Sequence, residues 1–199
     1  MHAWFSGVGE VRDALIAGDR DAIARQAQAL ARTLDDGSFP AAWQPSVDEL
    51  RSHAHAAAAE PSLDAAASLV AQMADECGAC HDALGVVALV EDALPPDDDV
   101  PEGTSAAQIM ARHGFGATRM WEGMVAPSPR RWIRGTTMFV ITPDCAQTQP
   151  DEGTHCERTR SLARRAHLVE DRTARTELYG QLLATCADCH AAARPAARQ

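Results

Sequence analysis

The sequence carries one five-residue pattern twice, as Cys77-Gly-Ala-Cys80-His81 and as Cys186-Ala-Asp-Cys189-His190. The two copies are 109 residues apart. A shift of 109 residues, with no gap, also superposes other pairs: Met1 on Met110, Asp13 on Glu122, Leu15 on Met124, Ile16 on Val125 and Ala17 on Ala126. An ungapped register from the start of each half to its motif is typical of a duplicated unit.

The repeat predicts two modules joined by a linker. The segment 91–103 is rich in proline and aspartate, and it has neither helical periodicity nor an apolar face. We therefore expect a first module over 1–90, a linker over 91–103 and a second module over 104–199. A surface loop inside one larger domain is the alternative for this segment.

Both modules are predicted to be helical almost throughout. In the first, apolar residues recur every three to four positions from Trp4 to Leu15 and again from Ile23 to Leu34. A capping box at 46–49 would open a third helix towards Ala59, and Pro61 would open a fourth that reaches the motif. In the second module the predicted helices cover 105–125, 129–141, 155–169 and 172–192. The expected fold class is all-α, with two tandem modules that resemble four-helix bundles.

The chemistry of the repeated pattern points to haem, because C-x-x-C-H is the attachment signature of a c-type haem. Two thiols bond to the porphyrin, and the histidine that follows binds the iron. The sequence thus predicts two covalently bound haem c groups, one for each module. The residues assigned to them are the thiols Cys77, Cys80, Cys186 and Cys189 and the proximal iron ligands His81 and His190.

Two other sites could use the same cysteines. Zinc-binding cysteine pairs usually lie about 15 to 20 residues apart, which is far closer than these two pairs. A redox dithiol of the thioredoxin type follows a strand, and neither motif follows a strand pattern. Both alternatives are therefore disfavoured.

A four-helix unit with C-x-x-C-H near the end of its last helix resembles the class II c-type cytochromes, the cytochrome c-prime group. In the class I fold the motif lies near the N-terminus instead. The resemblance covers each half and rests on motif position and helix order. It implies that a haem forms part of each helical core, although these halves are shorter than the usual member and are joined in tandem.

The sixth iron ligand of the second haem is sought at the start of the first helix of its module or at the connection between the second and third helices. His113 is the first candidate, since it shares a helical stripe with Met120 and Met124. Met110 and His155 are the alternatives. A solvated first-turn histidine is the other interpretation of His113.

In the first module the position equivalent to His113 is Trp4, which cannot bind iron. His2 or Met1 then remains as the distal candidate for the first haem. The two haems are therefore expected to differ. Trp121 and Trp132 are expected to pack in the core or against haem, and Tyr179, just before the second motif, is expected to line the same pocket.

Composition and cofactor together suggest a setting. The net charge of −10 disfavours nucleic acid and anionic membranes as partners and favours basic redox proteins. No apolar run is long enough to span a bilayer. The resemblance implies export, yet the first residues have no basic start or apolar region. We expect an export signal or lipid-anchored leader that this chain lacks, and a periplasmic or outer-surface location.

Cys145 and Cys156 flank a turn-rich connection in the second module. An oxidising compartment would allow them to form a disulfide, with two reduced thiols as the alternative. The function expected from these features is single-electron transfer between redox partners, without enzymatic activity. A gas-binding or sensing protein with one open iron site is the main alternative, and a dihaem peroxidase is a weaker one.

Overall fold

In a computed structural model of the chain, residues 2–96, 100–141 and 150–193 are described. These residues form α-helices and connecting turns, with no strand among them, so the all-α prediction is confirmed. In chain order the helices are α1 His2–Ile16, α2 Arg20–Asp35, α3 Gln44–Ala59, α4 Leu63–Ala83, α5 Val87–Ala93, α6 Ala106–Val125, α7 Pro129–Val140, α8 Pro150–His167 and α9 Arg172–Ala193. A 3-10 turn, Ala41–Trp43, precedes α3.

The helix starts follow local chemistry. Asp19 caps α2 by accepting from the backbone N–H of Ala22, and Ser105 forms a capping box with Gln108 at the start of α6. The capping box predicted at 46–49 is wrong. Helix α3 begins two residues earlier, at Gln44, because Pro45 occupies its first turn and Trp43 precedes it without a side-chain cap.

The chain divides into two compact units that differ from the predicted contiguous modules. Unit 1 comprises residues 1–73 and 180–199, and unit 2 comprises residues 74–179. The boundaries fall inside the two longest helices, α4 and α9. As a result the first C-x-x-C-H motif belongs to unit 2 and the second to unit 1. Each motif therefore packs within the unit built mainly from the other half of the sequence.

Unit 1 consists of α1, α2, α3, the first part of α4 and the last part of α9. Helix α2 packs against both α1 and α3. Gly180 of α9 lies against Ala67, Ser68 and Ala71 of α4, where a Cβ would sit 3.4 Å from the Ser68 backbone. The unit's core is apolar and includes these fully buried side chains: Val8, Val11, Leu15, Leu34, Val70 and Met73.

Unit 2 consists of the last part of α4, followed by α5 to α8 and the first part of α9. Helix α7 packs against both α6 and α8. Its core holds the aromatic residues Trp121, Trp132, Phe139 and Tyr179, each at most 2% exposed. Two of them satisfy their polar atoms internally, since Trp132 donates to the Ala166 carbonyl and Tyr179 to the Ala117 carbonyl. Trp121 and Trp132 are thus core residues, as one of the two predicted placements has it, and Tyr179 is buried in the same core.

The predicted linker does not lie free of the units. Its first residues belong to α5, a helix that the sequence analysis missed, and Glu91 of α5 accepts from the Ser128 hydroxyl. Arg119 donates to the carbonyls of Pro95 and Pro96, and Arg112 donates to those of Pro101 and Gly103. The described part of this segment is thus fastened to unit 2 through its main chain.

Among the described residues, no helix combines the length and the apolar character that crossing a membrane requires.

Candidate haem sites

Each C-x-x-C-H motif lies in the last turns of a long helix, the first in α4 and the second in α9. In a helix, positions i, i+3 and i+4 share one face, so both thiols and the following imidazole point to the same side. All six motif side chains that carry the chemistry are partly exposed. The helix geometry therefore places the donors of each motif together on one face of its helix.

The two motif histidines make the same hydrogen bond. Nδ1 of His81 lies 2.8 Å from the main-chain oxygen of Val125, and Nδ1 of His190 lies 2.5 Å from that of Ile16. A carbonyl oxygen only accepts, so Nδ1 carries the proton in both rings. In a neutral imidazole this leaves the lone pair on Nε2. Both rings are thus held in the tautomer that an iron ligand needs.

The acceptors are available for a structural reason. Ile16 is the last residue of α1, and Val125 is the last residue of α6. The final carbonyls of a helix have no partner within it, and the negative end of the helix dipole attracts N–H donors. Each helix end therefore supplies an oxygen that the imidazole satisfies.

The two bonds are related by the repeat. The shift of 109 residues that superposes His81 on His190 also superposes Ile16 on Val125. In each case the histidine comes from one half of the sequence and the acceptor from the other. The signal was visible in the sequence as the Ile16–Val125 pairing, but periodicity does not tell which half a helix end contacts.

Small residues allow the close approach that these bonds require. A Cβ on Gly78, inside the first motif, would lie 2.2 Å from the main-chain oxygen of Met124. A Cβ on Gly18 would lie 2.7 Å from the main-chain oxygen of Ala187, inside the second motif, and Gly18 has a φ of +65°. In both units the motif helix meets the end of its supporting helix backbone to backbone.

The thiols of the motifs differ from those of a redox dithiol. None of the four forms a disulfide. Burial, reinforced by the neighbouring Cys80, raises the pKa of Cys77 to about 12, and burial with Cys189 does the same for Cys186. A catalytic dithiol has a lowered thiol pKa instead. Cys77 and Cys186 are therefore poor thiolate sources at neutral pH.

The donor set also does not suit a zinc site. Across residues 2–96, 100–141 and 150–193, no group of three or more His, Cys, Asp or Glu side chains comes together as a metal site. A structural zinc ion takes four such ligands. A c-type haem needs fewer ligands from the protein, since the porphyrin supplies four of the iron's ligands and the chain supplies the axial ones. The residues present fit a haem.

The distal candidates of the second haem lie in unit 2, whereas the second motif belongs to unit 1. His113 is partly buried, and its ring lies 5.1 Å from that of Phe139. Met110 is 46% exposed, and His155 is partly buried in α8. His113 precedes Val125 by twelve residues, which is roughly 18 Å along α6. It therefore cannot share an iron with His81, and its assignment to the second haem stays a prediction.

The distal candidates of the first haem, Met1 and His2, also stay predictions. Met1 lies outside the described residues, and for His2 only the helical backbone is described. Trp4, the residue equivalent to His113, packs with its ring centroid 4.6 Å from Phe39 and 6.5 Å from Trp43. The repeat position that holds an imidazole in one half is thus part of an aromatic cluster in the other.

Of the two remaining cysteines, one lies within the described residues. Cys156, in α8, is disulfide-bonded. Cys145 lies outside the described residues.

The sequence analysis did not predict two groups of contacts between charged residues. Glu122 is buried and accepts from both Arg119 and Arg131, at 2.6 and 2.8 Å. Arg172 donates to both the carboxylate and the main-chain oxygen of Asp75, two residues before the first motif. Glu122 and Arg119 are three residues apart on α6, a spacing that signals an ion pair, but the sequence does not show that the pair is buried. The contact between Arg172 and Asp75 spans 97 residues and has no local signal.

Comparison of the chain with known protein families, with curated proteins and with solved structures finds no match.

Proposed function

We propose that the protein is a dihaem cytochrome c that carries single electrons between redox partners outside the cytoplasm. The observation that carries the proposal is the paired hydrogen bond of the motif histidines. Both His81 and His190 follow a C-x-x-C pair, and both give their Nδ1 proton to a helix-end carbonyl. Such a bond fixes the ring and raises the basicity of Nε2 towards a metal.

The proposal includes two haem modules related by duplication. Haem c groups would be held by Cys77 and Cys80 with His81, and by Cys186 and Cys189 with His190. When bound, each haem supplies an iron centre that changes its charge by one unit. The chain contributes the axial nitrogen, the carbonyl that orients it and the surrounding charges. The covalent haem and the disulfide at Cys156 both suit an oxidising compartment, which supports a periplasmic or outer-surface location.

Electron transfer is favoured over catalysis by the composition of the two sites. Each motif supplies two thiols for the porphyrin and one imidazole for the iron, which suits a carrier whose task is to set a potential. The net charge of −10 favours basic redox proteins as partners.

Gas binding is a second candidate. A haem whose iron has no distal protein ligand would present an open site to carbon monoxide or nitric oxide.

A redox titration with spectroscopy tests the proposal. The protein, expressed with a bacterial export signal and a c-type haem maturation system, is expected to take up two electrons per chain. Variants without Cys77 and Cys80, or without Cys186 and Cys189, are expected to take up one.

Carbon monoxide binding by the unmodified protein separates the two candidate functions. Binding at one haem supports the open-site alternative, and binding at neither supports a pure electron carrier. A protein that takes up no electrons under these conditions contradicts both.

A further inference from the structure

One ion pair lies beside the first motif, and the residues at its two repeat-equivalent positions are uncharged. Arg172, the first residue of α9, donates through Nε to the carboxylate of Asp75 and through Nη2 to the Asp75 main-chain oxygen. Asp75 precedes Cys77 by two residues in α4. The repeat positions equivalent to Arg172 and Asp75 are Leu63 and Ala184, both uncharged and buried.

The end of α4 is more acidic than the corresponding end of α9. Asp75, Glu76 and Asp82 flank the first motif, and their equivalents are Ala184, Thr185 and Ala191. The second motif has one carboxylate of its own, Asp188, where the first has Ala79. Arg172 thus brings a positive charge to the more acidic of the two motif helices.

These charges reach the attachment cysteine. Among the influences on the pKa of Cys77, Glu76 raises it and Arg172 lowers it, after the larger effects of burial and Cys80. The pKa of Cys186 shows no such pair of opposed charges, since burial and Cys189 raise it and a backbone hydrogen bond lowers it. The electrostatic surroundings of the two attachment sites therefore differ in kind.

Resting on the proposed function, we infer that Arg172, held in place by Asp75, is a positioning residue that raises the reduction potential of the first haem. In the redox step a one-electron donor protein passes one electron to a ferric haem, which becomes ferrous, and no bond forms or breaks. The haem centre is more positive in the ferric state. A cation nearby disfavours that state, and a carboxylate favours it.

The two bonds to Asp75 keep the charge of Arg172 near the first motif. Because Arg172 bonds to both the side chain and the main chain of Asp75, its guanidinium is fixed within about one helical turn of Cys77. Its side chain is 40% exposed, so salt screens part of its charge. The effect on the potential should therefore shrink as ionic strength rises.

The test compares three variants of the haem-loaded protein by spectroelectrochemical titration. Arg172→Leu introduces the residue found at the equivalent position of the other half, and it should lower the potential of the first haem only. Asp75→Asn removes the carboxylate charge and should raise that same potential. Arg164→Leu, at an exposed arginine of α8, makes the same change in net charge while leaving the Arg172–Asp75 pair in place, and it should move neither potential appreciably.

The first haem is identified as the component lost when Cys77 and Cys80 are both replaced by alanine. Opposite shifts of this component in Arg172→Leu and Asp75→Asn, both reduced at high salt, would support the inference. Shifts in the same direction, or equal shifts of both haems, would show that the pair acts only through the fold. If Arg172→Leu does not fold, Asp75→Asn and Arg172→Lys replace it. A raised potential of the first haem in Asp75→Asn and a near-normal one in Arg172→Lys would support the inference, and an unchanged potential in Asp75→Asn would overturn it.

Failure of this inference is distinguishable from failure of the proposed function. Haem content and two-electron uptake are measured first on the unmodified protein. A protein that holds no haem overturns the proposed function, whereas two haems with potentials insensitive to Arg172 and Asp75 overturn only the tuning role.

Discussion

Replacing Gly78 by alanine tests whether the motif helix truly meets the end of α6 backbone to backbone. The added Cβ would lie 2.2 Å from the Met124 main-chain oxygen, whereas ordinary contacts begin near 3.4 Å. The two helices must therefore separate by about 1 Å, since neither atom belongs to a side chain that can rotate away. The bond of 2.8 Å between His81 and Val125 would then exceed hydrogen-bonding distance.

The expected change in the free energy of unfolding combines two destabilising effects and one stabilising effect. Overpacking costs about 1 to 3 kcal/mol, and loss of the imidazole hydrogen bond costs about 1 kcal/mol. Alanine in place of glycine in a helix returns up to about 1 kcal/mol. We expect a net loss of about 2 kcal/mol in the free energy of unfolding, or a melting temperature lower by about 4 to 8 °C for a chain of this size.

Thermal and urea unfolding followed by far-ultraviolet circular dichroism measure this loss. Gly114→Ala is the matched control, because Gly114 is also inside a helix of unit 2 and its Cβ would meet no atom within 4 Å. The control should be more stable by about 0.5 to 1 kcal/mol. If Gly78→Ala is stabilised as much as Gly114→Ala, the close approach of α4 and α6 is refuted.

Three further predictions concern other contacts. Gly18→Ala should destabilise the protein by about 2 kcal/mol or more, because its φ of +65° and its contact with Ala187 both oppose a Cβ; an unchanged urea midpoint would contradict this. Glu122→Gln should cost about 3 kcal/mol by leaving Arg119 and Arg131 buried without their anion, and a loss below 1 kcal/mol would show that the cluster is solvated. Hydrogen bonding from Ser128, aided by Arg130, holds the pKa of Glu91 below its ordinary value of 4.5, so its stabilising contribution is present above that pH and is lost as pH falls further. Ser128→Ala should reduce this acid dependence in unfolding curves, whereas an identical pH profile would rule out the contact.

Most of the helical order was predictable because it depends on local signals. The starts of α6, α7 and α9 follow from Ser105, Pro129 and the turn before Arg172, and periodic apolar residues place the cores of α1 and α2. Helix α5 was missed because Val87–Ala93 directly precedes the prolines and acidic residues that suggested a linker. Only the contacts of Arg119 and Glu91 show that this segment is packed.

The candidate sites were predictable in chemistry and only partly in placement. The motif spacing gives the thiols and the histidines, and the repeat gives the equivalence of Ile16 and Val125. Which half supports which motif depends on how the long helices α4 and α9 pack, and amphipathic periodicity does not encode that choice. The same limit explains why Arg172 and Asp75, far apart in sequence, were not recognised as neighbours.

The most direct test of the central claim is the intact mass of the exported protein after denaturation and solvent extraction of loosely bound haem. The account predicts a chain that retains two haem masses, with proteolytic peptides locating one haem on Cys77 and Cys80 and the other on Cys186 and Cys189. A chain that retains no haem, or one that binds zinc through these cysteines instead, would contradict the account.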